Sequence, residues 1–170
     1  MANDSRENVR IEHPNRKKAA SKITRLIVVV LLLASAGLLA IITWGGWDTL
    51  EGAKALQIAY ILVYLLMAFL VMRWNRGVLP LAAALAIVLL IFAAVSGPAW
   101  FDRDKTGLTE PPLSSDLLGL LSVLLVPVQI LLIAFSMRGF QQAWNVEVER
   151  TRDDRDDYDR GGGQPAPAAA

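Results

Sequence analysis

The stretch Leu117–Met137, LLGLLSVLLVPVQILLIAFSM, decides the fold of this chain. It contains 21 residues without a charge and is bracketed by Asp116 and Arg138. At about 1.5 Å of rise per residue, a helix of this length crosses a hydrocarbon core of roughly 30 Å. The sequence therefore predicts a membrane-spanning helix over this stretch.

Three other uncharged runs have similar lengths and predict three further spans. They are Leu26–Trp47, Ala55–Met72 and Gly77–Phe101, with 22, 18 and 25 residues. Each reaches the roughly 18 residues that a spanning helix requires. We therefore predict an all-α integral membrane protein, a four-transmembrane-helix bundle with spans at about 24–46, 50–72, 77–99 and 115–138.

The composition of the 170-residue chain narrows its functional classes. Hydrophobic residues make up 54% and charged residues 19%, and the charges are concentrated at the ends and in the loops, whereas a soluble domain would distribute them along amphipathic elements. The absence of cysteine excludes disulfides, thiolate metal sites and a cysteine nucleophile. Because no span contains Asp, Glu, Lys, Arg or His, a proton-coupled transporter is disfavoured and no base lies at depth. We expect a protein that is not an enzyme and has no cofactor or metal.

Both ends of the chain are polar and predict disordered termini. Residues 1–22 form a basic segment, and residues 151–170 form an Arg/Asp block followed by a Gly, Pro and Ala tail. Residues 139–150 predict a helical extension instead, since Phe140, Trp144 and Val148 recur at helical spacing.

The distribution of Lys and Arg predicts that both termini are cytoplasmic. The N-terminal segment, the connection at 73–76 and the C-terminal segment carry 7, 2 and 5 of these residues, against 1 and 2 in the other two connections. A cleaved signal peptide ending at Ala34–Ala36 is the alternative for the first span, although the apolar run continues to Ile42, which favours a retained helix. The Ala-, Gly-, Arg- and Asp-rich ends suggest a bacterial plasma membrane.

The first candidate site is an intramembrane polar face made of Gln57, Tyr60, Tyr64 and Gln129. Tyr64 lies nine residues before Arg73 and Gln129 nine before Arg138, so the two side chains reach equal depth in spans that run in the same direction. Because an unpaired polar group is costly at that depth, we predict that the second and fourth spans are neighbours or near neighbours, with Gln129 turned toward Tyr64.

The second candidate site is a helix-packing seam on the fourth span, made of Gly119, Ser122 and Ser136. These residues fall on a series that steps by three and four, which keeps them on one side of a helix. Small residues on such a seam allow another helix to approach closely.

The connection between the third and fourth spans contains three motifs that resemble chemical sites. The sequence DKTG at Asp104–Gly107 resembles the phosphorylation motif of P-type ATPases, and Asp102 with Asp104 and Thr106 resembles the D-x-D-x-T motif of haloacid-dehalogenase phosphatases. The same acidic residues resemble the first positions of an EF-hand loop, whose twelfth position is Leu113 here. Since the chain lacks the large domains or flanking geometry that these sites need, we interpret the segment as a solvated loop.

These features predict a non-enzymatic accessory or scaffold component. Its expected partners are the lipid bilayer and another membrane protein or a second copy of the chain, with no nucleic acid. The alternative is a small oligomeric channel or carrier for a neutral solute, in which the Gln57, Tyr64 and Gln129 face lines the path. An enzyme that uses the loop carboxylates is the weakest hypothesis.

Overall fold

Four long helices dominate the computed structural model, which describes residues 9–50, 52–103 and 111–151. In chain order the elements are β1 (Val9–Glu12), α1 (Pro14–Lys17), α2 (Ala19–Gly45), α3 (Lys54–Met72), α4 (Val78–Phe101), α5 (Ser115–Gln141) and β2 (Val148–Thr151). Helices α2 to α5 are each long and apolar enough to cross a membrane. The predicted all-α membrane fold with four spans is confirmed.

The four long helices form a ring in which each packs against the next along the chain and α5 closes on α2. The α4–α5 boundary is the most extensive and the α3–α4 boundary the least. Because short connections join helices of membrane length, consecutive helices run in opposite directions. Both ends of the described chain therefore lie at one end of the bundle, the terminal end, and the α2–α3 and α4–α5 connections lie at the other, the loop end.

Two glycines allow α4 and α5 to approach closely. A Cβ atom on Gly97 of α4 would lie 2.8 Å from Cγ2 of Val123, and one on Gly119 of α5 would lie 2.9 Å from Cε1 of Phe101. Both distances are too short for carbon atoms in contact, so a larger residue requires a neighbour to move: the stiff, β-branched Val123 at Gly97, and the end of the exposed Phe101 ring at Gly119.

Helix α3 begins later than predicted, at Lys54 instead of residue 50. The chain first makes a compact turn in which the backbone N–H groups of Thr49 and Leu50 donate to the carbonyl of Gly46, both at 3.0 Å. The Thr49 hydroxyl also donates to this carbonyl, at 2.8 Å. These bonds occupy the residues that the sequence assigned to the first turn of the helix.

The predicted disorder of residues 1–22 is wrong for the part that the structure describes. Strand β1 pairs antiparallel with β2, with Val9 opposite Thr151 and Glu12 opposite Val148. The Asn15 side-chain nitrogen then donates to the carbonyl of Ala143 at 3.1 Å. The partners lie more than 120 residues away along the chain, so local composition did not reveal them. Residues 1–8 and 152–170 lie outside the described residues.

The predicted helical extension over residues 139–150 is also wrong, because α5 ends at Gln141. Ala143 has a φ of 48°, which reverses the chain and returns it toward the bundle. Trp144 is thereby completely buried, and its ring packs edge-on against the ring of Trp74, with the ring centres 5.4 Å apart. Burial of this large side chain against the bundle replaces its predicted place on a continuing helix.

Candidate functional site

A chain of hydrogen bonds crosses the interior of the bundle near the middle of its length. The Tyr64 hydroxyl donates to Oε1 of Gln129 at 3.0 Å, and Nε2 of Gln129 donates to the Ser35 hydroxyl at 2.8 Å. All three side chains are 0% exposed. The contact predicted between Tyr64 and Gln129 is present, although α3 and α5 lie diagonally across the ring and do not pack side by side.

Each hydroxyl in this Tyr64–Gln129–Ser35 network uses its single proton once. Ser35 accepts from Gln129 and donates to the carbonyl of Leu31 at 2.7 Å. The network joins three helices, α2, α3 and α5, and hydrogen bonds between membrane helices contribute about 0.6–2 kcal/mol each. Its geometry is suited to holding the helices in register.

The other two members of the predicted polar face, Gln57 and Tyr60, lie nearer the loop end. Oε1 of Gln57 lies 2.7 Å from the Thr43 hydroxyl, which also lies 2.6 Å from the carbonyl of Leu39. The Thr43 hydroxyl has one proton and can donate to only one of these two oxygens. Both contacts are satisfied if Thr43 donates to the Leu39 carbonyl and the Gln57 amide is turned so that its nitrogen donates to Thr43. Tyr60 contacts the ring of Tyr64 edge-on, with ring centres 5.8 Å apart. The predicted face therefore divides into an inner pair, Tyr64 and Gln129, which is fully buried, and an outer pair, Gln57 and Tyr60, nearer the loop end.

An apolar cavity of about 310 Å³ occupies the loop-end half of the bundle. All four long helices and the α2–α3 connection contribute to its wall, which includes Gln57 and Tyr60 and excludes Tyr64 and Gln129. Leu56 of α3 and Phe92 of α4 line it and are 47% and 50% exposed. They lie on the two helices that flank the least extensive boundary of the ring.

Arg103 lies on the wall of this cavity, just beyond the end of α4. Its guanidinium carbon is 5.8 Å from the centre of the Trp100 ring, which is within the range of a cation–π contact. The Arg103 Nε atom is buried and has no hydrogen-bond partner among the described residues. A cation with an unused donor thus lies beside an apolar space.

The three residues of the predicted seam are all buried, in different surroundings. Gly119 faces Phe101 of α4, as described above, and the Ser122 hydroxyl donates to the carbonyl of Leu118 at 2.8 Å. Ser136 is 0% exposed and its hydroxyl has no partner among the described residues. The seam thus faces the interior of the bundle, with the α4 contact at Gly119.

Sequence reasoning missed Ser35 and Thr43, which complete the two polar layers. Ser35 stands ten residues after Arg25, and Gln129 stands nine before Arg138, so the same depth count would have paired them. Ser35 was interpreted only as part of a possible cleavage site.

A cluster at the terminal end was missed as well. The Arg25 guanidinium lies 4.1 Å from the Trp74 ring and donates to the carbonyl of Met72 at 3.1 Å. Arg16 donates from Nε to the carbonyl of Trp144 at 3.1 Å. These contacts use basic residues that the sequence assigned to membrane orientation alone.

The motif at Asp104–Gly107 lies outside the described residues, as does most of the connection that carries it. The part of the chain that the structure describes has no group of three or more His, Asp or Glu side chains placed to hold a metal ion. No protein-family model, curated protein or solved structure matches this chain. The class that fold and site define is a multi-pass, four-helix membrane protein.

Proposed function

We propose that this chain is a non-enzymatic accessory or scaffold component of a bacterial plasma membrane, which binds another membrane protein or a second copy of itself. The observation that carries this proposal is the Tyr64–Gln129–Ser35 network. Its polar groups bond to one another and join three helices, so they stabilise a bundle whose outer surface is largely aliphatic. Such a bundle interacts with partners through its surface within the membrane.

The orientation in the membrane follows from charge. The terminal end of the bundle carries the N-terminal segment, the α3–α4 connection and the C-terminal segment, which together hold most of the Lys and Arg residues. Because basic residues near spans remain on the cytoplasmic side, we assign the terminal end to the cytoplasm and the loop end to the outside.

The proposed contact surface for a partner helix is the exposed side of α2. Ala34, Gly37 and Ala40 are exposed there, and a Cβ atom on Gly37 would meet no atom within 4 Å. Small residues on a lipid-facing side let a second backbone approach closely, which van der Waals packing then stabilises.

The carrier of a neutral solute is the second candidate, because Gln57 and Tyr60 line the cavity. The inner pair argues against it. Tyr64 and Gln129 are fully buried and bonded to each other, so a path from the cavity to the terminal end has to break their hydrogen bonds.

Complex formation tests the proposal. A tagged chain is expressed in its native membrane and extracted in a mild detergent, and the mass and composition of the complex are measured. Gly37→Leu blocks the exposed side of α2, and Ala94→Leu is the matched control on the exposed side of α4. We expect a stoichiometric complex with the unaltered chain and the control, and at least a fivefold loss with Gly37→Leu.

Reconstitution into liposomes separates the two candidates. The scaffold proposal predicts that glycerol and urea enter these liposomes no faster than protein-free ones. Solute entry that depends on the protein, together with a monomer in all three samples, would contradict it.

A further inference from the structure

The cavity in the loop-end half has the dimensions of a site for a single hydrocarbon chain. Its volume of about 310 Å³ is at the lower end of the range for ligand pockets, roughly 300–1,000 Å³. The half-exposed side chains of Leu56 and Phe92, which lie on membrane-length helices, indicate that the cavity opens between them toward the hydrocarbon region. The hydrocarbon chain of a lipid in the bilayer can therefore enter the cavity without crossing water.

The wall of the cavity favours an apolar occupant over a polar solute. Three of its hydroxyl side chains already donate to backbone carbonyls: Thr49 to Gly46 at 2.8 Å, Ser96 to Ala93 at 3.3 Å and Ser122 to Leu118 at 2.8 Å. Their protons are therefore not available to a ligand. A polar solute would have to replace its hydration with hydrogen bonds to the remaining polar groups of the wall, Gln57, Tyr60, Trp100 and Arg103, whereas a hydrocarbon chain has no hydrogen bonds to lose.

The charge beside the cavity selects the headgroup. Arg103 lies at the loop end, at the level where α4 leaves the membrane, and its buried Nε atom has no partner among the described residues. Its acidic neighbour Asp102 does not line the cavity. Arginine binds phosphate oxygens with charge-assisted hydrogen bonds, often two at once.

From this juxtaposition we propose that the cavity binds one acyl chain of an anionic phospholipid, and that Arg103 holds the phosphate of its headgroup. The lipid belongs to the leaflet at the loop end, which is the outer leaflet in the orientation proposed above. Binding fills the least extensive boundary of the ring, between α3 and α4, and so stabilises the bundle where its own side chains leave space.

Native mass spectrometry of the purified, delipidated chain tests the headgroup. Phosphatidylglycerol and phosphatidylcholine with the same acyl chains are the probes: both carry a phosphate, but the choline cation neutralises the second headgroup and repels Arg103. We expect one tightly bound phosphatidylglycerol per chain. In Arg103→Gln its affinity should fall by about tenfold to a hundredfold, as the loss of a charge-assisted hydrogen bond predicts, and its preference over phosphatidylcholine should be lost. Lys54→Gln is the control, because Lys54 is a cation at the same end that does not line the cavity. Equal binding of the two lipids, or an equal effect of both substitutions, would overturn the assignment of Arg103.

A substitution that fills the cavity tests whether the acyl chain of the lipid binds there. Ala93 is 2% exposed and lines the cavity, whereas Ala94 beside it faces outward. Ala93→Leu should lower the bound fraction of phosphatidylglycerol at least fivefold, and Ala94→Leu should leave it unchanged. Unchanged binding in Ala93→Leu would place the lipid elsewhere.

Photocrosslinking of the unaltered chain tests the same site without any substitution. Phosphatidylglycerol with a photoreactive diazirine in one acyl chain is irradiated with the reconstituted protein. Leu125 lines the cavity and is 2% exposed, whereas Leu124 is 48% exposed on the outer surface. Crosslinks to Leu125 require a chain inside the cavity. Crosslinks to Leu124 and other outer residues without Leu125 would show a surface lipid only and would refute the proposal.

Discussion

Replacing Gln129 with leucine tests the Tyr64–Gln129–Ser35 network most sharply. The substitution nearly conserves volume and removes both hydrogen bonds that the amide makes, to Tyr64 and to Ser35. Ser35 keeps its bond to the carbonyl of Leu31, so the Tyr64 hydroxyl alone loses its partner. Two such bonds at about 0.6 kcal/mol each, plus about 1–3 kcal/mol for one unsatisfied buried hydroxyl, lower the free energy of unfolding by about 2–4 kcal/mol.

A double-mutant cycle isolates the interaction between Tyr64 and Gln129. Tyr64→Phe alone leaves the Gln129 carbonyl unpaired and should cost about 1 kcal/mol. The double variant should be no less stable than Gln129→Leu, which gives a coupling energy of about 1 kcal/mol. Reversible unfolding in mixed micelles of SDS and a mild detergent, followed by circular dichroism, measures all four proteins.

The control for this cycle is Gln141→Leu, since Gln141 is exposed at the end of the same helix. It should change stability by no more than about 0.5 kcal/mol. Additive effects of Tyr64→Phe and Gln129→Leu, with no coupling beyond error, would refute the view that this bond stabilises the bundle.

Three further predictions concern topology, the loop motif and helix packing. Because the chain has no native cysteine, single introduced cysteines can be labelled selectively. A cysteine at Ala99 should react with an impermeant thiol reagent on intact cells, and a cysteine at Asn75 should react only after lysis. The reverse pattern would show that the orientation is inverted. The sequence interpretation of a solvated loop predicts that Asp104→Asn leaves folding and membrane insertion unchanged, whereas a hydroxylamine-sensitive phosphate on Asp104 would support the resemblance to P-type ATPases. Gly97→Ala should destabilise the bundle by about 1–3 kcal/mol, because its Cβ would lie 2.8 Å from Val123, a stiff β-branched residue. Gly37→Ala, whose Cβ meets no atom within 4 Å, should be neutral or stabilising by up to about 1 kcal/mol, and equal effects at both glycines would contradict the packing of α4 on α5.

The long helices could be predicted from the sequence because each rests on local information. An uncharged run of sufficient length has few alternatives to a spanning helix, and the run around Leu117–Met137 ends close to where α5 ends, at Gln141. The depth of Tyr64 and Gln129 could likewise be counted from Arg73 and Arg138, the arginines that close their uncharged runs. The depth count predicted the contact between the two side chains. It could not predict that α3 and α5 lie diagonally across the ring, because depth does not determine which helices are adjacent.

The errors fall where partners are distant in sequence. Residues 9–12 pair with residues 148–151, and the reversal at Ala143 depends on a positive φ in a residue type that gives no signal of it. The cavity was not predictable either. Its existence depends on how side chains from four helices fill the space between α3 and α4, and no local pattern records that packing.

Solvent protection of the Gln129 side-chain amide tests the central claim most directly, namely that the polar groups within the membrane are sealed into the bundle and hold it together. Nitrogen-15 NMR of the chain in lipid nanodiscs, with the signals assigned by Gln129→Leu and Gln141→Leu, follows both amides after transfer to D₂O. The buried Gln129 amide, whose nitrogen donates to Ser35 and whose oxygen accepts from Tyr64, should retain its protons roughly a hundredfold longer than the exposed Gln141 amide. Exchange at Gln129 as fast as at Gln141 would show that water reaches mid-membrane, which would contradict a sealed network and favour a path for solute.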